Sequence, residues 1–231
     1  MGPVTIGLDI GQHAEPTAIA VAELEGSDSG GGDATRHVIR RLERLPLGSS
    51  YPDSARRLES VIASLRTRLT YEEAERQTLP RWQRPPSVDL EIIVYADATG
   101  LGQPVVDLFA DVGAPIHAVY FTHGDRRVVN GLQVTLGKAW LVSQLQALLQ
   151  TGRLLLPKTA EAEALAKELM DYEIRVTEQA NDTYGAFKVG SHDDLVTALG
   201  LAVQPPPGGW AWLDPDLARA ISDGFDTWQE R

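Results

Sequence analysis

Cysteine is missing altogether from the 231 residues, which removes disulfides, thiolate zinc sites and cysteine nucleophiles from consideration. No run of about 18 apolar residues occurs, and no basic segment followed by an apolar one stands near Met1. Neither a membrane span nor a secretory signal is indicated, and a soluble, intracellular protein is expected. Basic residues are in deficit: 21 Lys and Arg against 32 Asp and Glu leave a formal net charge of −11. That balance speaks against broad nonspecific attraction to nucleic acid and leaves room only for a local basic groove. What is present looks globular. A hydrophobic content of 43% and a charged content of 23% sit near the averages for folded domains, and the length suits one sizeable α/β domain with a single core.

Alternation places Val4, Ile6, Leu8 and Ile10 on one face of a strand, with Thr5, Gly7 and Asp9 on the other. Residues 11–16 turn the chain into a second strand over Thr17–Ala22, so the mouth of a hairpin lies beside Asp9. The Gly-rich turn 26–33 leads to a third strand, His37–Leu47, giving three antiparallel strands at the start. Leu58, Val61, Ile62 and Leu65 then recur at helical spacing. Thr70–Val88 carries Pro80, Pro85 and Pro86 with Arg76, Arg81 and Arg84 between them, and reads as an extended basic connector or insertion within 67–89. Glu91–Ala96 suits a buried central strand and Ile116–Phe121 another, with a helix containing Val105, Val106, Leu108 and Phe109 between them. Helices are expected over Lys138–Gln150 and Glu161–Met170, and short strands over Tyr172–Val176 and Tyr184–Lys188. Leu195, Val196, Leu199 and Val203 form the apolar stripe of a last helix, which stops at Pro205. The expected organisation is one domain over 1–204 and a tail over 205–231 that holds Trp210, Trp212 and Trp228.

Four aspartates stand where such elements begin or end. Asp9 closes the first strand, Asp97 closes Ile92-Ile93-Val94-Tyr95-Ala96, and Asp193 and Asp194 open the last helix. Each has an ordinary explanation: Asp before Gly is turn chemistry, Asp97 can hydrogen-bond the turn that follows it, and Ser191-His192-Asp193-Asp194 fits a capping box. Strand-end and helix-start carboxylates from distant sequence can also converge at one edge of a sheet. Mg²⁺ or Mn²⁺ takes oxygen ligands, and two such ions roughly 4 Å apart can activate a water and stabilise the leaving oxygen of a phosphodiester displacement. Asp193 and Asp194 lie about 100° apart around a helix, so the pair can serve two ions or give one ligand and one cap.

Gly7-Leu8-Asp9-Ile10-Gly11, Ala96-Asp97-Ala98-Thr99-Gly100-Leu101-Gly102-Gln103-Pro104 and His192-Asp193-Asp194-Leu195-Val196-Thr197-Ala198-Leu199 resemble, in order and spacing, the nuclease domain of phage large terminase subunits. Gly137-Lys138-Ala139-Trp140-Leu141 and Leu148-Leu149-Gln150-Thr151-Gly152-Arg153-Leu154 are similar too, so the likeness spans nearly all of Val4 to Val203. The resemblance implies a ribonuclease H-like α/β fold in which a mixed sheet, three antiparallel strands and then parallel ones, is flanked by helices. It also implies an endonuclease that cuts concatemeric double-stranded DNA during packaging, with two Mg²⁺ or Mn²⁺ ions held by Asp9, Asp97, Asp193 and Asp194. Implied partners are a packaging ATPase, a portal or a small terminase subunit, in the cytoplasm of a bacterial host. No Walker A sequence is found: Gly131–Lys138 has one residue too many between its glycines, and Ala139 stands where Ser or Thr is needed. The chain is therefore expected to be either an excised nuclease domain or a stand-alone prophage-derived protein.

Lys138, Arg126, Arg127 and Arg153 are candidate phosphate contacts, and His192 a candidate auxiliary group beside the acidic pair, although solvated surface charge and local hydrogen bonding are the commoner uses of such residues. Three other functions remain open. A sugar kinase or actin-like ATPase would share the first Gly-Leu-Asp-Ile-Gly loop, but that fold repeats its core and no second copy is present. A noncatalytic DNA-binding or assembly module would use the acids as caps only. A Holliday-junction resolvase would share the carboxylate chemistry and act on branched DNA.

Overall fold

The computed structural model describes residues 3–11, 15–25, 36–84, 91–176, 182–186 and 193–206. Its centre is an eight-stranded mixed sheet built from β1 (Val4–Asp9), β2 (Ala18–Glu25), β3 (Arg36–Arg44), β4 (Ile92–Asp97), β5 (Ile116–Thr122), β6 (Arg127–Asn130), β7 (Gln133–Gly137) and β8 (Leu154–Leu155). The spatial order is β6-β7-β5-β4-β1-β2-β3-β8. The first three strands are antiparallel, and β4, β5 and β7 then run parallel to β1. A separate hairpin pairs β9 (Tyr172–Val176) with β10 (Asp182–Ala186).

Both faces of the sheet are covered, because both sets of alternating side chains on the central strands are apolar or small. On one face, Val4, Ile6, Leu8 and Ile10 join Ile92 and Val94 against α1 (Tyr51–Thr78), which contributes Leu58, Val61, Ile62, Leu65 and Leu69. On the other face, Ile93, Tyr95 and Val119 pack with α3 (Lys138–Gln150), α4 (Ala160–Asp171) and α5 (Asp194–Ala202). A short helix, α2 (Gln103–Leu108), follows β4.

The helix α1 starts where Ser50 accepts a hydrogen bond from the Asp53 amide and runs for 28 residues, about 42 Å at the α-helical rise. It therefore takes in 67–78, where the sequence predicts an extended connector. No proline interrupts 53–79, Leu69 is still buried, and Arg76 pairs with Glu73 one turn away, so helix propagation continues until Pro80. The hairpin β6–β7 was also not expected; Gly131, at φ 59°, makes its turn.

Helix α5 is apolar on every side, and each residue from Asp194 to Ala202 is buried. Its approach to β1 is so close that a side chain at Gly7 would strike the helix backbone. A Cβ there would lie 2.9 Å from Leu201 Cβ and closer still to the Ala198 carbonyl oxygen and the Ala202 amide nitrogen.

Candidate metal centre

Strand register brings the first two aspartates together. In the parallel pair β1–β4, Leu8 is matched with Ala96, so Asp9 and Asp97 follow side by side at the C-terminal ends of strands spaced about 4.8 Å apart. The same row continues across the sheet, since Asp9 is matched with Ala18 and Ala18 with Arg44, the last residue of β3. The third element is α5. With Ala198 and Ala202 lying on Gly7, Asp194 is one turn before Ala198, about 6 Å along the helix, while Asp9 is two residues beyond Gly7, about 6.6 Å along the strand. A helix running opposite to β1 thus lays its first residues over the Asp9 end of the strand.

Electrostatics register the convergence. The Asp9 carboxyl keeps some contact with solvent, yet its pKa is driven well above the ordinary carboxylate range by desolvation first, then by Asp97, Asp194 and Asp193, with Lys138 alone opposing. Burial also raises Asp97, and Asp193 adds to it, against the hydrogen bond from the Thr99 amide to Asp97 Oδ1 (2.8 Å) and the charge of Lys138. The expected turn bond of Asp97 is therefore present, and it does not remove Asp97 from the cluster.

The capping box expected at Ser191–Asp194 is corrected by α5. Asp193 occupies the N-cap position, but its side chain makes no capping hydrogen bond. Glu168 of α4 caps the helix instead, its Oε2 accepting from the amides of Leu195 (3.1 Å) and Val196 (3.3 Å). The capping carboxylate comes from 27 and 28 positions before the amides it holds, which leaves Asp193 available to the cluster. Ser191 and His192 lie outside the described residues.

Arg44 and Glu168 escaped the sequence reading. Arg44 Nε donates to Asp194 Oδ2 at 2.6 Å, and Arg44 Nη2 pairs with Glu168 Oε1. Burial and the neighbouring Asp194 hold the Glu168 carboxyl up at about 7 although Arg44 pulls it down. A signal existed: Glu168 follows Ala162 and Leu165 at a spacing of three, on the buried face of α4.

The candidate basic contacts separate. Lys138 opens α3 directly after β7, with Nζ 5.4 Å from the Phe121 ring centre, and lies near enough to oppose the charges of Asp9 and Asp97. Arg126 is exposed, and its carbonyl accepts from the amide of Gly137, the residue before Lys138, at 2.8 Å. Arg127 turns inward: Nη2 donates to the Tyr95 hydroxyl (3.1 Å) and the Pro205 carbonyl (2.8 Å), and burial lowers its pKa. Arg153 follows the far end of α3, about 20 Å from Lys138, beside His37 at the opposite end of β3.

Among the described residues no three acidic or histidine side chains already stand at ligand spacing about one point. The donor set nevertheless fits a hard divalent cation: carboxylate oxygens only, massed so that Asp9 resists ionisation, with Lys138 and Arg44 as the nearby protein cations.

Comparison of the whole fold with solved structures decides what architecture this is. The nuclease of the large terminase from thermophilic phage G20c matches over 86% of this chain and 80% of its own, at 20% identity and a TM-score of 0.55. This is the fold of the large terminase nuclease. The same G20c nuclease with bound magnesium gives a TM-score of 0.56 at 22% identity, covering 86% and 79%. The large terminase nuclease domain of Thermus phage P74-26 gives 0.53 at 19%, covering 86% and 77%. A G20c nuclease structure with bound cobalt matches to the same degree. No family model and no curated protein matches the sequence. The terminase-nuclease architecture is thus shared by three-dimensional arrangement, at an identity where sequence alone carries little.

Proposed function

We propose that the protein is a divalent-metal-dependent endonuclease that hydrolyses double-stranded DNA, using Asp9, Asp97, Asp193 and Asp194 as ligands for two Mg²⁺ or Mn²⁺ ions. The observation that carries this reading is the convergence of half-buried Asp9 with Asp97, Asp194 and Asp193, set together by the β1–β4 register and by the seating of α5 on Gly7, where desolvation and then the neighbouring carboxylates raise the Asp9 pKa. Such a cluster is unfavourable by itself and is relieved by a cation. Support comes from the G20c terminase nuclease of the same fold, solved with magnesium and with cobalt. Bound ions of this kind supply Lewis acidity at a phosphodiester and a lowered pKa for an attacking water. The chain's own residues hold and orient: Asp9 and Asp97 from rigid parallel strands, Asp193 and Asp194 from a helix start. Lys138 and Arg126 stand at the rim to meet phosphate oxygens. Concatemeric phage DNA is the proposed substrate, the cytoplasm of a bacterial host the place, and a packaging ATPase, portal or small terminase subunit the proposed partners.

Plasmid cleavage at low salt with Mg²⁺ or Mn²⁺ tests this. Nicking or linearisation that chelator and either Asp9→Asn or Asp97→Asn abolish is expected; no cleavage with either ion, together with no ion-induced thermal shift, would sink the proposal. A noncatalytic assembly module is the second reading, favoured by the ion pair that Asp194 makes with Arg44. A junction resolvase would instead cut branched DNA in preference to linear duplex.

A further inference from the structure

Three elements distant in sequence meet at the first turn of α5 through one guanidinium. Arg44 ends β3, in the strand row that contains Asp9. Its Nε donates to Asp194 Oδ2 at 2.6 Å while its Nη2 pairs with Glu168 Oε1. Glu168 Oε2 reaches past it to the amides of Leu195 and Val196. Asp194 is 5% exposed and Glu168 8%, so the pair of carboxylates is desolvated and Arg44 is the cation set between them. Two buried carboxylates with no shared counter-ion would push apart and carry the start of the helix with them. A planar fork with donors at fixed angles also dictates how each carboxylate is turned, which a single ammonium does not.

We infer that Arg44 and Glu168 are positioning residues, which fix the height of the α5 terminus and the orientation of the Asp194 carboxylate before any ion arrives. This rests on the proposed metal site. Oxygen ligands are themselves commonly held by hydrogen bonds from a surrounding shell, and loss of that shell weakens metal affinity roughly 10–100-fold. The division of labour is explicit: Glu168 holds the backbone of α5, Arg44 holds the side chain at its first residue, and their ion pair couples the two.

The test is Mn²⁺ binding to the full chain, followed by electron paramagnetic resonance of free Mn²⁺ and by calorimetry, for wild type, Arg44→Lys, Arg44→Gln and Glu168→Gln. Arg44→Lys keeps the charge without the fork, and Glu168→Gln keeps an acceptor for the α5 amides without the ion pair. Each is expected to bind Mn²⁺ at least about tenfold more weakly than wild type while unfolding as cooperatively. Should Arg44→Gln not fold, the other two variants still decide. Affinities within threefold of wild type would make the network a plain structural ion pair, and tighter binding would make Arg44 a competitor of the ion; either overturns the inference and leaves the metal site standing. Wild type that binds no Mn²⁺ would overturn both.

Discussion

Replacing Gly7 with alanine probes the contact on which the whole site depends. The added methyl would sit 2.9 Å from Leu201 Cβ and nearer still to backbone atoms of Ala198 and Ala202. Backbone cannot swing aside as a long side chain can. To restore carbon contacts of about 3.5 Å, α5 would have to retreat from β1 by on the order of 1 Å. Overpacking of a tight core costs about 1–3 kcal/mol, and a clash with backbone on the far side belongs at the upper end. At roughly 2–4 °C per kcal/mol for a chain of this size, Tm should fall by about 6–12 °C. The functional loss should exceed the stability loss, because Asp193 and Asp194 ride on the same helix as Ala198 and Ala202. A displacement of about 1 Å can cost roughly 100-fold in rate when ligands or reacting groups must align. The assay is thermal unfolding with and without Mn²⁺, then cleavage well below the new Tm. A variant that melts within about 2 °C of wild type and keeps its full Mn²⁺-induced shift would refute the account of how α5 is seated.

Without divalent ions, Asp9→Asn should raise Tm at pH 8, since ionised Asp9 is opposed by burial and by three carboxylates; a lower Tm would contradict that electrostatic description. Glu168 has a folded-state pKa of about 7 against an ordinary 4.5, so the folded protein holds the extra proton between those values. Stability from this group is fully present below about 4.5 and is lost as pH rises through 7, by up to about 3 kcal/mol. The ion-free protein should therefore melt higher at pH 5.5 than at pH 8, with Glu168→Gln flattening the difference; a Tm that climbs with pH would reverse the sign. Arg127→Ala removes two part-buried hydrogen bonds and should cost about 2–4 kcal/mol while the folded protein binds DNA as before. Lys138→Ala should change stability by less than about 1 kcal/mol yet lower DNA affinity and the salt slope by about one ion; equal effects of the two variants on DNA binding would refute the separation drawn between them.

Much of the fold is legible because its periodicity is strong. Lys138–Gln150 is read as a helix with the same limits it has in three dimensions, and Tyr172–Val176 as a strand likewise. The alternation of β1 correctly predicts that Asp9 leaves the face of Val4, Ile6 and Leu8. Misreadings arise where local cues were ambiguous. Arginine and proline within 70–88 suggested a connector, although only the prolines break helices and the first of them is Pro80. The edge hairpin β6–β7 is short and half exposed, so neither alternation nor burial marks it strongly. Arg127 looked like one of several surface cations, and nothing nearby in the chain announces that Tyr95 and Pro205 receive it.

By itself the sequence determined where each aspartate stands within its own element, because strand ends and helix starts are encoded by neighbours within a few residues. Tertiary structure alone decided that these elements meet. Parallel register sets Asp97 beside Asp9, a missing side chain at Gly7 lets α5 lie against β1, and Glu168, not a residue of the Ser191–Asp194 box, caps the first amides of α5. Those relations join residues up to 195 positions apart, from Gly7 to Ala202. Desolvation and packing select among such pairings only after the chain has closed on itself, so no local pattern can carry them.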